Sequence, residues 1–221
     1  MNKQFGNDDP RVADYVSRVY TPEDDLLRDI RERTARAGLP DIQVAALDAR
    51  HLEVLARAIG ARRTVEIGTL GGYSGVSLLR GMGDDGVLDT IEIDPAHAAI
   101  AAESFRRAGF ADRARIHIGP ALAVLPTLRP AGPFDLCFID ADKESYPQYL
   151  AWAAENLRQG GAVLGDNAFL FGKLTAEPKG DGGDAVSVRA MRAFHDSLAS
   201  GGLFRATVLP TGEGLALGIR L

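Results

Sequence analysis

Two short acidic segments in the second half of the chain have the residue types of a hard-metal site: Ile139-Asp140-Ala141-Asp142-Lys143 and Gly165-Asp166-Asn167. Asp140, Asp166 and the Asn167 carbonyl offer oxygen donors only, with two negative charges and no thiolate or imidazole. That set suits Mg²⁺ first, with Mn²⁺ or Ca²⁺ as the alternatives, whereas zinc or copper would draw on His or Cys. Lys143, three residues after the first acid, is a candidate to stabilise or accept a proton beside such an ion. Each acid alone also suits a helix cap or a turn, so the argument rests on their convergence. Two further segments suit a nucleoside. In Glu66-Ile67-Gly68-Thr69-Leu70-Gly71-Gly72-Tyr73-Ser74 the close glycines permit tight turning and near approach of backbone to a ligand. Ile91-Glu92-Ile93-Asp94 puts a carboxylate 24 residues after Gly68, where it can accept ribose hydroxyls. The glycines lack the GxGxxG spacing of dinucleotide folds, which weighs against a nicotinamide-dependent oxidoreductase.

These residues need a scaffold that brings separate strand ends together. From Ala61 onward, β-rich runs at Thr64–Ile67, Val87–Ile93, Ala114–Ile118, Phe134–Asp140 and Ala162–Asp166 alternate with helical stretches near 74–80, 95–108, 120–128 and 146–158. That alternation predicts βαβ units and a parallel sheet covered on both faces, with ligands at the carboxyl ends of the strands. After a helix near 184–199, Phe204–Leu209 and Leu215–Arg220 flank Pro210–Gly214, which predicts an antiparallel hairpin. Residues 11–60 carry helical spacing for two or three helices, with Thr21-Pro22-Glu23 as a cap and first turn and Ala45, Leu52, Leu55, Ala56 and Ile59 as an apolar stripe. The Gly- and charge-rich segment Gly172–Asp184 predicts an exposed, mobile loop.

The 221 residues, 46% hydrophobic and 25% charged, are read as one domain: N-terminal helices over 1–60 and an α/β core over 61–221 that includes a substrate loop at 168–184. A net charge of −5 gives no footprint for nucleic acid or for an anionic membrane. No run approaches the ~20 apolar residues of a membrane span, and the first ten residues lack a cationic start before an apolar stretch, so a cytoplasmic protein is expected. The single Cys137 lies in an apolar run and reads as a buried thiol. His51, His97 and His117 read as surface or packing residues.

Taken together, Glu66-Ile67-Gly68-Thr69 with Gly72-Tyr73-Ser74, Ile91-Glu92-Ile93-Asp94-Pro95, Asp140-Ala141-Asp142-Lys143 with Tyr146, and Gly165-Asp166-Asn167 resemble the metal-dependent class I O-methyltransferases of the caffeoyl-CoA and catechol type, in their bacterial form. The resemblance runs from about Tyr15 to the C-terminus. It implies a Rossmann-like fold with a seven-stranded, mostly parallel sheet whose last strand is antiparallel. It implies S-adenosylmethionine as methyl donor, a divalent cation, a vicinal-dihydroxy aromatic acceptor of catechol or caffeoyl type, and a homodimer. By the same likeness Glu66, Gly68, Ser74 and the backbone near Val44 approach the methionine part of the cofactor. Glu92 holds the ribose, Ala121 lies by the adenine, and Asp142 meets the ammonium, with Asp140 beside it. Asp140, Asp166 and Asn167 match the metal ligands and Lys143 the catalytic lysine. Pro120 and His195 depart from the family pattern. A metal-independent methyltransferase acting on another acceptor is the principal alternative.

Overall fold

The computed structural model describes residues 9–20, 23–178, 180 and 182–221. Three helices come first: α1 (Pro10–Tyr20), α2 (Asp25–Arg36) and α3 (Ala46–Ala58). Thr21 and Pro22, the expected cap, lie outside the described residues, and it is Asp24 that caps α2, accepting from the Leu27 amide at 2.9 Å. Of the expected stripe, Leu52 and Ala56 are fully buried and Leu55 and Ile59 partly so, whereas Ala45 precedes α3 and is exposed. α1 differs, since none of its residues is buried.

The α/β part follows as β1 (Arg63–Ile67), α4 (Tyr73–Gly81), β2 (Val87–Glu92), α5 (Pro95–Arg107), β3 (Ala114–Ile118), α6 (Ala121–Leu128), β4 (Phe134–Ile139), α7 (Tyr146–Asn156), β5 (Leu157–Gly165), α8 (Gly183–Ser200), β6 (Phe204–Leu209) and β7 (Leu215–Arg220). The seven strands form one sheet in the order β3-β2-β1-β4-β5-β7-β6. β1 to β5 run parallel, while β7 pairs antiparallel with both β5 and β6. β5 begins five residues earlier than its apolar run indicated: Leu157 pairs with Phe134, so the polar Arg158 and Gln159 belong to the strand. Hydrophobic patterning misses a strand start whose side chains are partly exposed.

Alternation along the strands divides the core between the two faces. Leu136 and Phe138 join α3, α4 and α5 on one side, and Cys137 and Ile139 join α6, α7 and α8 on the other. Both faces are covered, so the carboxyl edge of the parallel strands is the place where polar side chains can gather. The strand order reverses beside β1: β1 lies between β2 and β4, and the turns that leave these strands open onto one cleft.

Candidate active site

A cleft of about 970 Å³ lies along this edge, lined by the strand ends and by residues of α2, α3 and the 41–45 segment. Gly68 opens the turn after β1 with φ of +97°, and a Cβ there would stand 1.9 Å from the Asp140 carbonyl oxygen. The close approach that requires glycine is therefore made by the protein's own backbone. Leu70 also takes a positive φ, 47°, and is held by its amide, which donates to Glu92 Oε2 at 2.8 Å. Glu92 accepts from the Asp94 amide as well, at 3.0 Å through Oε1, so its carboxylate ties the first turn to the end of β2.

Glu66 is fully buried and does not line the cleft. Its two oxygens accept from Ser74 Oγ and Thr90 Oγ1, both at 2.6 Å, and Thr90 Oγ1 in turn meets Thr69 Oγ1. Burial raises the Glu66 carboxyl to about 7 despite those two hydrogen bonds, helped by the nearby charges of Asp140 and Glu92. Ser74 does line the cleft, so Glu66 acts on it from one layer beneath.

Asp140 and Asp166 follow the ends of β4 and β5, whose last rung pairs Ile139 with Gly165. Their backbone amides continue the ladder, Asp140 N–H to Ile67 O at 2.8 Å and Asp166 N–H to Ile139 O at 2.9 Å. Adjacent strands thus hold the two carboxylates side by side. Burial raises the Asp140 carboxyl, opposed by Lys143. Burial and then the Asp140 charge raise Asp166 to about 7. Asn167 turns the chain at φ of 54°, a conformation that asparagine tolerates better than most residues. Lys143 Nζ donates to Asp140 Oδ1 at 3.3 Å and to the Tyr146 hydroxyl at 2.7 Å. Tyr146 is fully buried, and its hydroxyl lies 3.1 and 3.0 Å from the carbonyls of Ile139 and Asp166, which fixes it at the junction of both strand ends. Asp142 accepts from Tyr149 at 2.6 Å. Among the described residues no three His, Cys, Asp or Glu side chains assemble as a metal-binding group; the cluster has two carboxylates and the Asn167 amide.

Gly68, Ser74, Glu92, Asp140, Asp142, Lys143, Asp166 and Asn167 all line the cleft, as do Val44 and Ala121, so the expected site residues other than Glu66 meet at one opening. Pro120 lines it too. His195 does not: its Nε2 lies 2.8 Å from the Ala168 carbonyl oxygen. The expected substrate loop, 168–184, gives the cleft a single described residue. Of Phe169-Leu170-Phe171 only Phe171 reaches the cleft, because Leu170 is buried in the core and the Phe169 ring covers Gly214. Gly212 and Glu213 of the β6–β7 turn take the place expected for the 172–184 segment, none of whose described residues lines the cleft. Asp48, to which sequence reading gave no role, and His97, read as a surface or packing residue, also line the cleft. His97 lies one turn beyond Asp94 and sits 3.7 Å from Glu92, a position visible once Pro95 is taken as the helix start. Asp48 had no such signal.

The geometry agrees with what the chain resembles. A family model described as O-methyltransferase matches residues 17–221. Catechol O-methyltransferase of Mycobacterium tuberculosis is 43% identical over 180 residues, covering 81% of this chain and 80% of that protein. Catechol O-methyltransferase of Niastella koreensis is 36% identical over 200 residues, covering 90% and 89%. The crystal structure of the O-methyltransferase from Bacillus cereus in complex with SAH has a TM-score of 0.88 at 34% identity, over 96% of this chain and 97% of that one. The O-methyltransferase TomG from Streptomyces achromogenes, in complex with SAM, gives 0.86 at 36% identity, over 97% and 99%. The chain belongs to the O-methyltransferase family of the caffeoyl-CoA and catechol type, and is an S-adenosylmethionine-dependent O-methyltransferase.

Proposed function

We propose that the enzyme methylates a hydroxyl of a vicinal-dihydroxy aromatic molecule and that it does so with a divalent cation, Mg²⁺ by preference, held by Asp140, Asp166 and Asn167. The observation that carries this reading is the pair of carboxylates on adjacent strand ends, Asp166 buried and Asp140 partly exposed, each pushed up by desolvation and Asp166 also by its neighbour's charge. Such a pair is costly unless a cation divides it. The donors are all oxygen, which fits a hard ion. When bound, that ion supplies the positive charge that lowers the pKa of a chelated hydroxyl.

The remaining work falls to the chain's own groups. Lys143, held between Asp140 and Tyr146, stabilises or receives the proton that leaves the acceptor hydroxyl. Methyl transfer is an in-line displacement, so positioning dominates. Val44, Gly68, Ser74 and Asp142 hold the methionine part of the cofactor, Glu92 the ribose, and Ala121 the adenine. Ile42 and Phe171, exposed and lining the same cleft, offer apolar walls for an aromatic ring. The catechol O-methyltransferases among the relatives support a diol acceptor.

Metal-independent transfer is the second reading, favoured by the ion pair through which Lys143 already offsets part of the Asp140 charge. A chelation series separates the two. Thorough removal of divalent ions and, independently, Asp166→Ala are each expected to abolish turnover while binding of S-adenosylmethionine persists in calorimetry. Full activity in chelator would eliminate the metal from the reaction.

A further inference from the structure

The turn that carries Asn167 is held in part from outside the cleft. It leaves β5 through Asp166 and takes left-handed backbone at three non-glycine residues, Asn167, Leu170 and Phe171, with φ of 54°, 50° and 53°. Such conformations are disfavoured for L-residues and persist where surrounding groups fix them. Here the Asp166 amide donates to Ile139 O, the Ala168 amide to Gly214 O and the Phe169 amide to Glu213 O, each at 2.9 Å. The Ala168 carbonyl is met from α8 instead, by His195 Nε2 at 2.8 Å. A carbonyl oxygen only accepts, so Nε2 carries the hydrogen. Ala168 is fully buried, and removing that donor leaves a buried carbonyl without its partner. One turn earlier on α8, Arg192 donates from Nε to Leu174 O at 2.9 Å and from Nη2 to Ala176 O at 2.8 Å, so the same helix clasps the chain on both sides of Phe171.

We propose that His195 is a positioning residue for the divalent cation: by holding the Ala168 carbonyl it fixes the backbone beside Asn167, and so sets how tightly Asp166 and Asn167 grip the ion. It does this without touching ion, cofactor or acceptor, since it does not line the cleft. The inference rests on the metal reading above and adds to it a residue outside the ligand set. Removing a group that orients metal ligands weakens ion binding by roughly 10–100-fold, and His195 acts through the neighbouring peptide, which puts its effect at the lower end. The His195 ring also stands edge-on to Phe194, with centroids 5.5 Å apart, so its packing has to be separated from its hydrogen bond.

The test is calorimetric titration of Mn²⁺ into the enzyme loaded with S-adenosylhomocysteine. His195→Phe keeps a ring and deletes the donor, and should weaken Mn²⁺ binding about tenfold. His195→Gln places an amide N–H as many bonds from Cα as Nε2 and should stay within about threefold of the parent. His195→Asn, one bond too short, should bind the ion as weakly as the phenylalanine variant. The affinity for S-adenosylhomocysteine, measured without metal, should change by less than about twofold in all three. If His195→Phe does not fold, the contrast between glutamine and asparagine carries the test. Mn²⁺ affinity like the parent's in both the phenylalanine and asparagine variants overturns the proposal. So does the order that packing alone would give, with phenylalanine harmless and glutamine damaging, or a parallel loss of S-adenosylhomocysteine binding. Failure of the parent itself to bind Mn²⁺ overturns the metal reading, an outcome distinct from ion binding that ignores His195.

Discussion

The buried Glu66 makes a prediction that needs no substrate. Its carboxyl titrates at about 7 in the folded protein against 4.5 for an ordinary glutamate, chiefly because burial penalises the charged form. The native state therefore binds this proton more tightly than the unfolded chain does. Stability is greatest below about pH 4.5 with respect to this group, falls as pH rises toward 7, and is flat above. The gap corresponds to about 3 kcal/mol at 1.36 kcal/mol per pKa unit. Glu66→Gln removes the titration and keeps the shape. The amide oxygen can still accept from Ser74, and the amide NH₂ can donate to Thr90 Oγ1, whose proton then turns to Thr69 Oγ1 along the existing hydroxyl chain. The variant's advantage over the parent should thus grow by about 3 kcal/mol between pH 4.5 and pH 8, or roughly 6–12 °C in melting temperature for a chain of this size. Urea titrations of both ligand-free proteins across that range, followed by circular dichroism, measure it directly, because every other titrating group is common to the two. A stability difference that stays constant with pH would refute the burial argument.

Other expectations follow from neighbouring contacts. Tyr146→Phe deletes the 2.7 Å acceptor of Lys143 and should lower kcat about tenfold with little change in KM for the methyl donor, while shifting the pH–rate profile; a profile identical to the parent's would show that Tyr146 has no hold on the lysine. Phe171 is 60% exposed and strained at φ of 53°, so Phe171→Gly should leave stability unchanged or raise it by up to about 1 kcal/mol while KM for the aromatic acceptor increases. Thermal melts and acceptor titrations check both halves. Gly68→Ala should cost at least about 3 kcal/mol or prevent folding, because its Cβ would stand 1.9 Å from the Asp140 carbonyl oxygen. Gly212→Ala on the same cleft, with nothing within 4 Å, should be nearly neutral.

What could be read in advance and what could not divides along physical lines. Strand ends were legible because a buried parallel strand is a continuous apolar run, and the first polar residues after it are fixed to the sheet's carboxyl edge. Asp140, Asp166 and Asn167 belong to that class, while Glu92 is the last residue of β2 itself, after Asp89 and Thr90. Glu66 was legible as a residue and not in its role. It is the penultimate residue of β1, and side-chain alternation sends it beneath the cleft toward Ser74 and Thr90 rather than into the opening. The acceptor wall was the least legible part. Asp48 occupies an ordinary helical position, and only the docking of α3 beside the β6–β7 turn, set by tertiary packing between segments more than 160 residues apart in sequence, brings it near Asp166. The 172–184 segment shows the same limit from the other side, since none of its described residues lines the cleft. Its composition announced exposure, and exposure alone does not say which surface a loop covers. Within this fold the cofactor half of the cleft is written in local strand-end motifs, while the acceptor half is assembled from helices and turns contributed by distant parts of the chain.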